Sequence, residues 1–139
     1  MNRKTFLLAS AGIGAASLKA LLPVRLKASG HSLDPHPEPR PDIDGSNVLS
    51  QEFMQGFPDI APIYDGIREI PHIADGVACR CGCHGQGEYR SLLSCFESGG
   101  MALGCEICQT EGRVVARLHG RGRTLDQIRA AIDARFGTG

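Results

Sequence analysis

Apolar positions in the second half of the chain recur at helical spacing. Ile63, Ile67 and Ile70 fall three or four apart and stop at Pro71, which predicts a helix over 64–70 and a further short helical turn over 72–78, opened by the proline. Leu92, Leu93 and Phe96 mark another helix over 91–96, ended by Ser98-Gly99-Gly100. Residues 105–118 read as a longer helix with Gly120 as its stop. The clearest element is 124–136: Thr124 and Gln127 form a capping box, Leu125, Ile128, Ile132 and Phe136 line one face, and Gly137 follows. Period-two alternation is absent from 55–137 and no segment repeats. The pattern predicts a small, irregular, all-α domain.

The start of the chain has a different character. Residues 1–28 carry Arg3, Lys4, Lys19, Arg25 and Lys27 and no acid, with an apolar run from Phe6 to Leu18 padded by Ala, Gly and Ser. This is the pattern of an export signal, too short in its apolar run to span a bilayer, and Arg3-Lys4 gives it a twin-arginine-like character without the second arginine. Residues 29–54, rich in Pro up to Pro41, are expected to form a disordered linker, leaving 55–139 as the helical domain. The whole chain is formally neutral, and without residues 1–28 it is acidic by five charges. That balance argues against nucleic acid as a partner. The expected location is exported, periplasmic or extracytoplasmic, with the membrane touched only through an uncleaved signal.

A helical domain of this size with no Trp and five Phe in the chain has a thin core and needs a staple. The six cysteines, Cys79, Cys81, Cys83, Cys95, Cys105 and Cys108, supply one. Gly82, Gly85 and Gly87 exclude regular helix from the first three, so that segment is expected to wrap something. Gly112 costs about 1 kcal/mol relative to Ala inside a helix, which marks a close approach there, with the cysteine loop as the expected neighbour.

Cys105-Glu-Ile-Cys108 puts two thiols at the start of a helix, where the helix end favours the thiolate. Cys79-Arg-Cys-Gly-Cys83 adds three alternate thiols that can converge on one ion or bridge two, whereas disulfides between such near neighbours are strained. An all-sulfur set selects Cu(I), Zn(II) or an iron–sulfur cluster. Six thiolates exceed what one tetrahedral Zn(II) uses, so Cu(I), content with two or three sulfurs per ion, is the first expectation and Zn(II) the alternative. His84, next to Cys83, is a candidate seventh ligand. Met101 is expected to pack, and His119 to end its helix facing water. The haem-attachment pattern C-x-x-C-H is absent.

From Ile67-Arg-Glu-Ile-Pro71 through Cys79-Arg-Cys-Gly-Cys83, Ser91-Leu-Leu-Ser-Cys-Phe96, Cys105-Glu-Ile-Cys108 and Thr124-Leu-Asp-Gln-Ile-Arg129, the chain resembles the bacterial PCYCGC-motif protein family. The resemblance spans about residues 60–137 and every cysteine. Ala78 and Arg80 replace the proline and tyrosine of the motif, and no cysteine before residue 79 could carry a lipid. It implies export and the thiol motif but no reaction, since the family is described as having no known function.

Three functions compete on these residues. A metal-binding protein would sequester Cu(I) or exchange it with a donor or acceptor protein, and the sequence does not separate storage from transfer. A module held by disulfides or zinc would act through its surface, without catalysis. A thiol oxidoreductase centred on Cys105 and Cys108 lacks the alternating strands and helices of thioredoxin-like folds. No Ser/His/Asp array or phosphate-binding glycine loop is present, so no enzyme is expected.

Overall fold

The computed structural model describes residues 34–83 and 89–137, among which there are six helices and no strand. They are α1 (Gln51–Met54), α2 (Ala61–Glu69), α3 (Pro71–Asp75), α4 (Leu92–Phe96), α5 (Glu106–Gly120) and α6 (Leu125–Phe136). The expected all-α architecture is observed. The export signal over 1–28 and His84 lie outside the described residues.

Local chemistry accounts for most helix ends. Ile70 serves both as the last cap of α2 and the first of α3, with φ −126° and ψ 46°. Pro71 forces this break, because a residue before proline is driven out of the helical region. Thr124 and Gln127 make the reciprocal capping box that opens α6, as the sequence predicts. Helix α1 has no counterpart in the sequence reading. It is a single turn started by Ser50, whose hydroxyl accepts from the Phe53 N–H.

The core forms where α2 crosses α5, with α4 beneath and α6 sealing the far side of α5. Tyr64 and Phe96 meet edge to face, ring centroids 4.9 Å apart, and Ile67, Leu93, Val115, Ile128 and Ile132 close around them. Gly112 does mark a close approach, but its neighbours are not the cysteine loop. A Cβ at this position would stand 2.7 Å from the Phe96 ring and 3.0 Å from the Ile63 side chain. The glycine lets α5 come down onto α4 and α2.

Residues 34–54 do not behave as a disordered linker. Val48 pairs with Glu97 in an isolated bridge, and Val48 and Met54 are buried. Upstream, the Pro-rich stretch docks through polar contacts, which its low apolar content does not forbid. Its carbonyls accept from arginines of the domain: Asp34 from Arg80 Nη1 at 2.8 Å, Pro37 from Arg129 Nη2 at 2.8 Å, and Glu38 from Arg90 Nη2. Arg40 completes the strap by donating its backbone N–H and its guanidinium to Asp75.

Asp75 is fully buried and, among the described residues, heavily bonded. Oδ2 accepts from Arg40 N and Nε at 2.8 and 3.1 Å. Oδ1 accepts from Arg40 Nη2 at 2.8 Å and from Ser91 Oγ at 3.0 Å, and forms an ion pair with Arg90 Nη1 at 2.8 Å. Burial pushes its pKa up, but the bonds from Arg40 and Ser91 outweigh it and leave the carboxyl below its ordinary value.

Two substitutions test this packing. Gly112→Ala gains about 1 kcal/mol of helix propensity but overpacks the junction by about 1–3 kcal/mol, so denaturant unfolding should show a net loss. A neutral or stabilised variant would mean that Phe96 and Ile63 are free to move aside. Asp75→Ala removes the bonds from Arg40 and Ser91 and the ion pair with Arg90; because both guanidiniums are partly exposed and rehydrate, it should cost about 2–3 kcal/mol. The wild-type contribution should be present above pH 3.8 and fade as pH falls through the lowered folded value, followed by acid denaturation of both proteins.

Candidate metal centre

The thiols are gathered by three elements. Cys79, Cys81 and Cys83 lie in the irregular segment after α3, Cys95 lies on α4, and Cys105 and Cys108 begin α5. Both ends of the segment are pinned. Leu92 N–H donates to Val77 O at 2.7 Å, and Ser91 is held by Asp75. In the middle, Arg80 donates its backbone N–H to Glu111 Oε1 at 2.8 Å, while its guanidinium reaches Asp133 at 2.7 Å. The local geometry at Cys79 is therefore fixed by α5 and its immediate neighbour.

The sulfurs of Cys79, Cys81, Cys95 and Cys108 all lie within 4.8 Å of one another. The sulfurs of Cys79 and Cys108 lie 3.5 Å apart, too far for a disulfide bond and at hydrogen-bonding range. A tetrahedral ion with metal–sulfur bonds of 2.3 Å requires edges of about 3.8 Å, so a small contraction converts this group into a four-thiolate cage. Such a group can hold a metal ion or, with rearrangement, form disulfides. Cys83 and Cys105 stand outside the four, Cys83 two residues beyond Cys81 and Cys105 at the N-cap of α5, three residues before Cys108.

Burial divides the set. Cys79, Cys95 and Cys108 are buried, while Cys81, Cys83 and Cys105 are partly exposed. The buried trio resists ionisation. Cys79 is raised first by its hydrogen bond with Cys108 and further by burial. In Cys95 a bond from Cys108 favours the thiolate, and in Cys108 a bond from Cys79 does so. Bonding in the opposite sense and burial outweigh both, leaving each thiol above its ordinary value. Cys81 is the exception: burial raises it, but bonds from Cys83, Cys79 and Cys108 bring it below that value. Cys83 is pushed up to about 11, chiefly by its bond with Cys81.

Groups that the sequence reading did not single out line the site. Glu111 is fully buried and one helical turn beyond Cys108, so its position on the same face was visible in the spacing. Burial raises its pKa, against the opposing influence of the Cys79 thiol and the Arg80 N–H. Burial likewise raises Tyr64 to about 12, with further contributions from Cys108 and Cys95. Glu111 Oε2 and Tyr64 Oη are buried without a hydrogen-bond partner among the described residues, and both belong to the surroundings of this centre.

Of the other candidates, Met101 does not pack as expected but is 45% exposed. His119 ends α5 in edge-to-face contact with His72 and belongs to no metal-capable group among the described residues. Ala78 and Arg80, which flank Cys79, each have a local partner. Ala78 N–H donates to His36 Nδ1 at 2.9 Å, which a proline could not do, and Arg80 pairs with Asp133. No family model, curated protein or solved structure matches this chain.

Linkage gives a direct check on the buried thiols. Cys79, Cys95 and Cys108 keep their protons in the folded metal-free domain above the ordinary value of 9.0, whereas the unfolded chain releases them there. Their contribution is fully present below that value and is lost as pH rises beyond it. The denaturation midpoint of the reduced, metal-free protein should therefore fall above about pH 9. A midpoint that rises over that range would contradict the enclosure of these thiols.

Proposed function

We propose that the chain is an exported, thiolate-rich metal-binding protein that handles Cu(I) for sequestration or transfer, without catalysis. The observation supporting this is the four-sulfur group with two further, partly exposed thiols, Cys83 and Cys105, adjoining its members in sequence. A closed structural site uses four ligands and has no need of the other two. Soft thiolates suit Cu(I), which shares bridging sulfurs and is content with two or three per ion. The burial of Cys79, Cys95 and Cys108 keeps the cargo from water and oxidants. Its source or destination would be a metal-donor or metal-acceptor protein in the periplasm or another extracytoplasmic space. Membrane attachment would come only through an uncleaved signal.

A second reading, a zinc-stabilised structural or interaction module, is favoured by the convergence of four sulfurs on a volume that one tetrahedral ion fills. Anaerobic purification of the full chain, elemental analysis and a thiol count before and after metal removal separate the two. Several Cu(I) per chain, with all six cysteines reactive in the metal-free form, is the expected result. A single retained Zn(II) would select the module. A metal-free chain without reactive thiols would discard metal handling in favour of disulfides.

A further inference from the structure

The six thiols are not equivalent, and their arrangement bears on how an ion leaves. Cys79, Cys95 and Cys108 are at most 2% exposed, so an incoming ligand cannot reach them directly. Cys81 belongs to the same four-sulfur group but is partly exposed, and Cys83, two residues on, is partly exposed too. Cys105, also partly exposed, caps α5 three residues before Cys108. Each outer thiol thus adjoins a member of the inner group along the chain and is open to solvent. Resting on the metal reading above, we propose that Cys83 and Cys105 form an exchange port, through which a thiol-bearing acceptor withdraws Cu(I) from the inner group by stepwise ligand replacement.

The backbone at the port suits such a step. Gly82 joins Cys81 to Cys83 in the left-handed region at φ 86°, and none of the described residues lies within 4 Å of where a side chain would begin. Cys105 caps α5 in an extended conformation, with no side-chain cap bond holding its sulfur to the helix. Met101 and Ile107, 45% and 43% exposed, flank Cys105 in sequence and provide apolar surface for an acceptor protein to cover.

In the transfer step the ion first shifts onto Cys83 and Cys105, whose thiol protons pass to the inner sulfurs as the metal–sulfur bonds there break. The acceptor's thiol then forms a metal–sulfur bond as the bond to Cys83 breaks, and its proton passes to the departing Cys83 sulfur. One bond replaces another, one proton moves, and the copper stays Cu(I). Repetition at Cys105 completes the release.

The test uses the full chain loaded anaerobically with Cu(I) and mixed with the chromophoric chelator bathocuproine disulfonate, with and without glutathione as a thiol carrier. In the Cys83→Ser/Cys105→Ser double variant the inner sulfurs should still hold an ion. Its transfer should slow by about tenfold or more, and glutathione should no longer accelerate it. Retained copper with an unchanged or faster transfer rate would overturn the port. Complete loss of copper from a variant with wild-type helicity would do so too, because it would make the outer thiols holding ligands. A wild-type chain that binds no Cu(I) would instead bring down the metal reading itself. Should the double variant misfold, iodoacetamide labelling of the loaded wild type followed by mass spectrometry serves: Cys83 and Cys105 should be alkylated first and transfer should slow in step. Alkylation of Cys79, Cys95 or Cys108 ahead of them would overturn the proposal.

Discussion

The structure depends on one buried carboxylate. Asp75 sits at the end of α3, where the chain leaves regular structure for the segment bearing Cys79, Cys81 and Cys83, and it holds Ser91 and Arg90 where the chain returns. Burying an anion is costly unless its oxygens are fully bonded, and here two guanidiniums, a backbone N–H and a hydroxyl share the task. The same anion anchors Arg40, so the strap over 34–40 and both ends of the thiol segment meet at one point. An irregular, glycine-rich segment thereby gains fixed ends without a disulfide or a sheet.

With those ends fixed, the sulfur arrangement follows from helix packing. Cys95 and Cys108 face inward because Phe96 and Gly112 allow α4 and α5 to lie close together, and Cys79 is carried onto them by the Arg80–Glu111 bond. Three neutral thiols can share a dry pocket by hydrogen-bonding with one another, but three bare thiolates would repel strongly there. A cation removes that repulsion, which is the physical reason a site with raised thiols is still suited to a metal: binding exchanges protons for positive charge.

Much of the fold is legible in the sequence because it rests on periodicity and on caps. Ile128, Ile132, Thr124 and Gln127 specify α6 almost alone, and Pro71 specifies the break between α2 and α3. The six thiols are equally visible as candidates, but their division into an inner and an outer set is not, since it depends on how α4 meets α5 across Gly112. Composition misdirects most at residues 34–54. Proline and charge suggest a chain with nothing to bury, yet Val48 and Met54 are buried, and carbonyl oxygens, His36 and Arg40 dock the upstream part on the helical domain. Asp75 and Glu111 look like ordinary surface acids until their partners, 35 and 31 residues away, are in place.

The strap also ties the two ends of the domain together. His36 meets Asp133 at 3.1 Å across 97 positions of sequence, and Arg80 bonds to the same carboxylate. A chain emerging from the ribosome or threading through a channel therefore lacks this clasp until α6 has arrived. Closure of the fold is a late event set by its last helix, and a chain shortened before Asp133 would leave the cysteine segment without its outer brace.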